Sequence, residues 1–563
     1  MGMKWTEEQS KVITLRDRNI LVSAAAGSGK TAVLVQRILS KIMDPDRLVD
    51  IDRLLIMTFT RAAAGEMKER ISNAIDQALY ENPDNEHLQR QAALIHNAQI
   101  TTIDGFCSYI IRNYFHMVEL DPGYRTAEEG ELKLLQEDVM KDLLEEAYEK
   151  ADPKFLSLVE CYASGKSDDE IRDMVYKLCQ AAMSHPYPEE WLEECKKNYD
   201  IDTLEDLISS EWMKMICEQV DQTLNDLEMI RKEALKVANS PYGPWMYADA
   251  LEQDGEILKQ LSKGNDYAEY ARRFLNIRKF AVLSRKKDEE VSDEKREQVK
   301  LLRDQIKKGI ASLQEQYFYQ SPQEMLEELK AGKVSAQMLL MLASEFGMRF
   351  TEKKRERNLL DFSDLEHLAL QILVKKENGN VVPGEAALAF SKQFEEIMID
   401  EYQDSNMVQE LILTSISRCS MGQNNLFMVG DVKQSIYRFR LARPELFMEK
   451  FDTYDLEKGP KQRIDLHKNF RSRTEVLDSV NYIFRQIMMR NLGEIDYDDK
   501  AALYVGAEYP ENPGCETEVL VLNTELKKYD RSIKASKQEM EARMIASRIR
   551  RLIAEQKVLD KKT

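Results

Sequence analysis

The sequence predicts an α/β protein whose parallel sheet is interrupted by a large helical insertion. Three strand-like segments open the chain, and each is followed by a helical segment: "RNILVSA", "LLIMTF" and "AQITTI". Such alternation predicts a parallel sheet covered by helices on both faces. The stretch from about Arg125 to Arg355 is charged and helical, and strand-like runs then resume with "EEIMID", "NNLFMVGD" and "RIDLHK". A sheet begun early and finished late around an insertion is a discontinuous domain.

Local patterns support the individual elements. The helix after "LLIMTF" starts at Thr60 and carries an apolar stripe at four-residue spacing, formed by Met67, Ile71, Ile75 and Leu79. The third strand ends at a predicted cap, Asp104. From about Glu475 a further helical region leads to an alternating run, "CETEVLVLN", and to a last helix near Ser536 to Gln556. The alternation predicts a strand in that run.

Composition narrows the class of protein. The chain has 563 residues and a net charge of −19, which argues against coating nucleic acid through bulk charge but allows a local basic groove such as "RFRLARP". The seven cysteines form no C-x-x-C pair, so a zinc or iron–sulfur site is not expected. The polar N-terminus carries no secretory signal, and no apolar run is long enough to cross a bilayer. These features predict a cytoplasmic protein without a membrane partner.

The segment "AAAGSGKT" between the first strand and its helix predicts a phosphate-binding P-loop. Glycines let backbone N–H groups curl around phosphate, and the helix N-terminus adds partial positive charge. We expect Lys30 to reach the outer phosphates of ATP and Thr31 to bind Mg²⁺. The alternative is a glycine-rich turn that binds nothing. The predicted ATP-binding residues here are Ala24, Ala25, Ala26, Gly27, Ser28, Gly29, Lys30 and Thr31.

A second segment, "IMIDEYQDSN", begins as an apolar, strand-like run and continues with the acidic residues Asp400, Glu401 and Asp404. Adjacent carboxylates at a strand end repel each other unless a cation or a proton-transfer task holds them there. We predict that Asp400 holds the Mg²⁺ shared with Thr31 and that Glu401 polarises the attacking water. The two segments are expected to meet because both end neighbouring strands of one parallel sheet. The alternative for the acidic run alone is a helix N-cap.

Four further side chains, in three stretches of sequence, match groups that an ATP-driven motor needs. The Gln9 amide can bond both N6 and N7 of adenine. Gln434 follows a strand and could sense the γ-phosphate, and Arg471 is a candidate arginine finger, with Phe470 able to stack on the base. Singly each signal is weak, since Gln9 could be a plain polar residue and Arg471 a surface ion-pair partner.

Aromatic residues near strand ends predict what such a motor would move along. They are interleaved with arginines, and this combination suits single-stranded nucleic acid because any base can stack and every phosphate can pair. The alternative is that the rings belong to the core. The residues concerned are Phe59, Thr60, Arg61, Phe106, Tyr437, Arg438, Phe439 and Arg440.

With these segments in order, together with "WTEEQ", "TTIDGFC", "LLDFSDLEHLAL" and "LHKNFRSRTEVL", the chain resembles the superfamily 1A DNA helicases of the UvrD/PcrA/RecB type. The sequence motifs are most similar to those of the A subunits of bacterial AddAB (RexAB) helicase–nucleases. Asp104 stands where UvrD-type helicases usually have His, and the third ATPase motif has "DVKQ". The resemblance covers residues 3 to 557.

The resemblance implies a RecA-like domain 1A over residues 1–124 and 356–474, a helical insertion 1B over 125–355, and the start of a second RecA-like domain, 2A/2B, over 475–563. It implies that Gln9 binds adenine, and it assigns Lys30, Thr31, Asp400, Glu401, Gln434 and Arg471 to phosphate, Mg²⁺ and hydrolysis. It places Phe59, Thr60, Phe106, Asp364, Tyr437 and Phe439 near the DNA strand.

The same resemblance implies a 3′ to 5′ motor on single-stranded and duplex-end DNA that resects double-strand breaks with a second subunit of the AddB (RexB) type. Two motifs of the second motor domain and the nuclease carboxylate cluster are not found before Thr563. We therefore expect an N-terminal portion that alone binds ATP weakly and hydrolyses it poorly. The alternatives are a stand-alone UvrD/PcrA-like repair helicase without nuclease, and a non-catalytic DNA-binding subunit that kept the fold.

Overall fold

A computed structural model describes residues 4–163, 167–286, 288–493, 495–510, 515–524 and 536–556. The strands are β1 Asn19–Ala24, β2 Leu54–Thr58, β3 Gln99–Thr102, β4 Arg125–Thr126, β5 Leu359–Leu360, β6 Val374–Glu377, β7 Asn380–Pro383, β8 Glu396–Ile399, β9 Leu426–Gly430, β10 Lys461–Leu466, β11 Lys468–Asn469 and β12 Tyr504–Val505.

The main sheet has six strands in the order β10-β1-β9-β8-β2-β3, and all its pairings are parallel. The α/β class and the predicted strands of both halves are confirmed. One detail was wrong: β9 lies between β1 and β8, so the P-loop and the acidic segment do not end neighbouring strands. Strand order depends on tertiary pairing, which local patterns do not encode.

Helices precede, follow and separate these strands. They are α1 Glu7–Thr14, α2 Lys30–Ile42, α3 Arg61–Glu81, α4 Glu86–Leu94, α5 Ile103–Tyr114, α6 Glu129–Lys150, α7 Pro153–Tyr162, α8 Asp169–Met183, α9 Pro188–Lys197, α10 Leu204–Ser209, α11 Glu211–Ala238, α12 Ala248–Leu261, α13 Tyr267–Leu275, α14 Asp293–Tyr317, α15 Pro322–Glu356, α16 Phe362–Leu373, α17 Glu385–Gln393, α18 Met407–Ile416, α19 Pro444–Thr453, α20 Thr474–Ile487, α21 Arg490–Gly493 and α22 Lys537–Glu555. Among the described residues, no helix is both long and apolar enough to span a membrane.

Both faces of the main sheet are buried. Along β1, Ile20 and Val22 join one apolar cluster while Leu21 joins the other, as strand alternation requires. The predicted stripe of α3 packs on the first cluster through Met67, Ile71 and Ile75. Helices α6 to α15 bury separate apolar clusters of their own. The domain limits implied by the resemblance stay a prediction.

Two local predictions were wrong. Thr102, not Asp104, caps α5: its Oγ1 accepts a hydrogen bond from the Gly105 N–H at 3.1 Å, and Asp104 lies in the first turn. The run from Cys515 to Asn523 forms no strand, and its Val519 and Val521 side chains are exposed. An alternating sequence needs a pairing partner to become a strand, and among the described residues this run pairs with none.

Candidate functional site

The glycine-rich turn between β1 and α2 has the backbone that a phosphate-binding loop needs. Gly27 and Gly29 lie in the left-handed region, with φ of +71° and +84°. A Cβ on Gly27 would come within 2.7 Å of Asn469 Nδ2 and 2.8 Å of Arg471 Cβ, so neither conformation nor space admits another residue. Lys30 and Thr31 then form the first turn of α2.

Lys30 meets the acidic segment directly. Its Nζ donates to Glu401 Oε1 at 3.0 Å and to Oε2 at 2.9 Å. Asp400 follows β8, where its backbone N–H donates to the Met57 carbonyl at 2.9 Å. Glu401 has φ +52°, a left-handed conformation that turns the chain sharply after the strand. The lysine and the carboxylate pair, far apart in sequence, therefore occupy one site.

The acidic groups of this site are held at some electrostatic cost. Burial, and secondly the Glu401 charge, raises the pKa of Asp400 to about 6, and the Lys30 charge offsets only part of that rise. Burial and the Glu401 charge likewise raise the pKa of Asp404 to about 6. Asp404 Oδ1 is buried and has no hydrogen-bond partner within the described residues. A positive ion near these oxygens would relieve both penalties.

Gln9 lies against the P-loop but its amide is already engaged. Its Nε2 donates to the Ser28 carbonyl at 3.0 Å, and its Oε1 accepts the Thr6 N–H at 3.0 Å in the capping box of α1. Gln9, Phe470 and Tyr504 line a cavity of about 490 Å³. Contact between Gln9 and adenine stays a prediction, and it would require the amide to exchange protein partners for the base.

The segment after β10 closes over the P-loop. The Phe470 N–H donates to the Gly27 carbonyl at 2.8 Å, and Arg471 lies beside the same glycine. Asn469 braces this contact: its Nδ2 donates to the Ala26 carbonyl at 2.6 Å, and its Oδ1 accepts the Arg471 and Ser472 N–H groups at 2.8 Å. Asn469 was not predicted from the sequence, although a polar residue between a strand and a candidate arginine finger was a usable signal.

Gln434 lies near the acidic segment and contacts it through Asp431. Its Nε2 donates to Asp431 Oδ2 at 2.9 Å, just after β9. The Asp431 N–H in turn donates to Gln403 Oε1 at 2.9 Å. Gln403 was not predicted either, and its only signal was its position inside the acidic run. Gln434 is therefore linked to the carboxylate pair through Asp431 and Gln403.

Four of the predicted DNA-binding side chains lie together. The Phe59 and Tyr437 ring centroids are 4.8 Å apart, and those of Tyr437 and Phe439 are 5.9 Å apart. The Arg440 guanidinium lies 5.2 Å from the Tyr437 ring and 5.7 Å from that of Phe439. The Phe439 side chain is 72% exposed. We call Phe59, Tyr437, Phe439 and Arg440 the aromatic platform.

The remaining DNA-binding predictions fall elsewhere. Thr60 caps α3 through a 3.1 Å hydrogen bond from the Ala63 N–H, and Arg61 opens that helix. Phe106 is fully buried, with its ring against Phe390 and Phe394, so the ring offers no face to a base in this structure, and its contact with DNA stays a prediction.

Asp364 is also largely enclosed. Its carboxylate accepts hydrogen bonds from Lys354 Nζ at 2.8 Å and from the Asp361 N–H at 2.8 Å. The side chain is buried, so the oxygens that would face a DNA strand already have protein donors.

Comparison with known sequences decides the family. The profile of the UvrD/REP helicase N-terminal domain matches residues 5–455, which include every residue of the P-loop, the acidic segment and the aromatic platform. The chain belongs to the UvrD/REP helicase family.

Curated relatives of this UvrD-type chain are described as the A subunits of ATP-dependent helicase/nucleases. The protein from Lachnoclostridium phytofermentans is 47% identical over 98% of this chain and 42% of its own length. Those from Geobacillus kaustophilus and Clostridium beijerinckii are 41% and 40% identical, over 98% and 100% of this chain and 45% and 47% of their own lengths. The chain thus spans less than half the length of these relatives.

The residues present fit a magnesium nucleotide. Within the described residues the buried Ser28 hydroxyl has no partner, the Lys30 charge is paired with Glu401, and Asp400 and Asp404 carry raised pKa values of about 6. Thr31 and Asp400 are the residues that would hold the metal ion. A lysine beside two carboxylates has the groups needed to bind phosphate and to accept a proton from water.

Proposed function

We propose that this chain is the ATP-binding motor portion of a 3′ to 5′ DNA helicase that acts in a helicase–nuclease with a second subunit of the AddB (RexB) type, on duplex ends. The observation that carries the proposal is the direct contact between Lys30 and Glu401, with Asp400 beside them. The names of the relatives support the nuclease-linked assembly over a stand-alone helicase. Residues 1–124 and 356–474 would form the first motor domain.

Each side chain has a task in the proposed reaction. Lys30 leaves Glu401 to bind the outer phosphates, while Arg471 and Gln434 approach the γ-phosphate from the segments after β10 and β9. Glu401 accepts a proton from a water whose oxygen bonds to the γ-phosphorus, and the bond from that phosphorus to the bridging oxygen breaks to release ADP. When bound by Thr31 and Asp400, Mg²⁺ would neutralise phosphate charge.

The aromatic platform is the surface that would contact the DNA strand. The exposed Phe439 ring offers a stacking face, and the Arg440 guanidinium lies among the rings where a phosphate or base could pair with it. Phe59 follows β2 and Tyr437 lies in the loop after β9, so the platform is attached at two points to the sheet that carries the nucleotide site.

Single-turnover hydrolysis of ATP by excess protein, with and without a single-stranded oligonucleotide, tests the proposal. We expect slow turnover that the oligonucleotide accelerates. The Glu401→Gln variant should still bind a fluorescent ATP analogue but hydrolyse ATP at least about a hundredfold more slowly, as for other general bases. Absence of nucleotide binding by the unmodified chain would overturn the proposal.

A further inference from the structure

Gln403, in the short turn Tyr402–Asp404 after the carboxylate pair, uses every polar atom of its side chain. Its Nε2 donates to Glu401 Oε2 at 2.9 Å and to Asp404 Oδ2 at 3.3 Å, and its Oε1 accepts the Asp431 N–H at 2.9 Å. The side chain is buried. Exchanging the amide oxygen and nitrogen would face N–H against N–H and carbonyl against carboxylate, so the contacts fix the amide orientation.

The neighbouring strand is shaped around this amide. A Cβ on Gly430, the last residue of β9, would overlap Gln403 Oε1 and lie 3.0 Å from the Phe447 ring. The φ of Gly430 is not in the left-handed region, so space rather than backbone conformation calls for glycine there. The position of Gln403 is thus set both by the turn after β8, in which it lies, and by the end of β9, which packs against it.

Glu401 is held by two groups, Lys30 and Gln403, and they differ in what would displace them. Phosphate competes with Glu401 for the lysine because it is negatively charged, as the carboxylate is. It does not compete for the Gln403 amide, whose polar atoms are all hydrogen-bonded to carboxylates and to a backbone N–H. The Gln403 contact is therefore the one that can persist when nucleotide occupies Lys30. A neutral donor also leaves the carboxylate its charge, which a general base needs.

We propose that Gln403 is a positioning residue: it holds Glu401 in the orientation for water activation once Lys30 turns to phosphate, and ties that orientation to the turn at Asp431. This inference rests on the proposed function and adds the residue that aims its base. Asp431 accepts a hydrogen bond from Gln434 at 2.9 Å, and the same loop continues to Tyr437 of the aromatic platform. A change at Glu401 is thereby passed to the DNA-facing segment.

Two variants separate positioning from simple support. Gln403→Glu keeps an acceptor for the Asp431 N–H but replaces the donor to Glu401 and Asp404 with a carboxylate, while Gln403→Leu removes all three contacts at similar volume. We expect both to bind the fluorescent ATP analogue within about threefold of the parent, yet to hydrolyse ATP at least about tenfold more slowly in single turnover and to lose oligonucleotide stimulation.

A matched control is Gln409→Leu, because Gln409 makes the same kind of amide-to-carboxylate contact, with Glu366 at 2.7 Å, away from Lys30. It should leave the hydrolysis rate unchanged. Parental hydrolysis in both Gln403 variants would overturn the inference alone, and so would parallel losses of melting temperature, binding and rate. An unmodified chain that neither binds nor hydrolyses ATP would overturn the proposed function as well.

Discussion

Lys30 and Glu401 form a two-pronged ion pair, with the ammonium 3.0 and 2.9 Å from the two carboxylate oxygens across 371 positions of sequence. The lysine side chain is mostly buried, whereas the glutamate keeps about a third of its side chain exposed, at 35%. Burial makes the lysine depend on a negative partner. A triphosphate can replace Glu401 as that negative partner, so the ion pair marks the position where a nucleotide would bind Lys30.

Replacing Lys30 with alanine should weaken nucleotide binding about 10- to 100-fold, since a charge-assisted hydrogen bond contributes about 1.5–3 kcal/mol. Binding of single-stranded DNA should persist, because the aromatic platform does not include the lysine. Titration with a fluorescent ATP analogue and with a labelled oligonucleotide measures both. Lys133→Ala, on an exposed face of α6, is the control. Equal loss of both ligands would point to a damaged fold instead.

Asp400 makes stability depend on pH in a direction opposite to that of most carboxyl groups. Its folded pKa of about 6 lies above the ordinary value of 3.8. The protonated group thus contributes stability that is complete below the unfolded pKa and is lost as the pH rises through about 6. Above that range the folded protein bears the cost of a buried, ionised carboxylate beside Glu401.

Asp400→Asn should therefore raise the free energy of unfolding at about pH 8, by roughly 1–3 kcal/mol, and the gain should shrink towards about pH 4.5. Denaturant unfolding at the two pH values measures it, with Asp138→Asn on the exposed face of α6 as control. The same variant should lose Mg²⁺-dependent nucleotide binding. A gain that grew as the pH fell would contradict the assigned direction.

The sequence alone carried the local parts of this site because they are encoded within a few residues. The P-loop needs two glycines, a lysine and a helix start, all inside Ala24–Thr31, and the stripe of α3 follows from four-residue spacing. Fold class follows from the same periodicities. These signals depend on neighbours in the chain, and for that reason they could be predicted.

Contacts between distant segments could not be predicted in the same way. Asn469 reaches the Ala26 carbonyl across 443 positions, and Gln403 reaches Asp431 beyond another strand. Phe106 follows a strand end just as Phe59 does, but the pattern does not tell which ring turns into the core. The position of β9 between β1 and β8 could not be predicted for the same reason, because strand pairing depends on the three-dimensional fold.

Asn469→Ala should weaken nucleotide binding about tenfold. The change leaves the Ala26 carbonyl and the Arg471 and Ser472 N–H groups without their partner, and each unmet group costs about 1–3 kcal/mol. Titration of the fluorescent analogue measures it. Asn113→Ala is the control, because the Asn113 amide bonds within its own helix, to the Tyr109 carbonyl at 2.7 Å. Unchanged affinity would show that the P-loop holds its shape without this brace.

Phe439→Ala should weaken binding of single-stranded DNA by about 1–3 kcal/mol, the worth of stacking one base, while leaving the melting temperature unchanged. The reason is the 72% exposure of the side chain, which means that little core packing is lost. Phe106→Ala should do the reverse and destabilise the fold by about 3–5 kcal/mol, because its ring is fully buried.

Fluorescence anisotropy with a labelled oligonucleotide and thermal unfolding separate the two variants. Tyr80→Ala is the matched control for an exposed ring, since Tyr80 is 82% exposed on α3 outside the platform. Because stacking is indifferent to base identity, the loss in Phe439→Ala should be similar for mixed and homopolymeric strands. If Phe439→Ala and Tyr80→Ala bound the oligonucleotide equally well, the platform would be an exposed cluster of rings with no part in holding the strand.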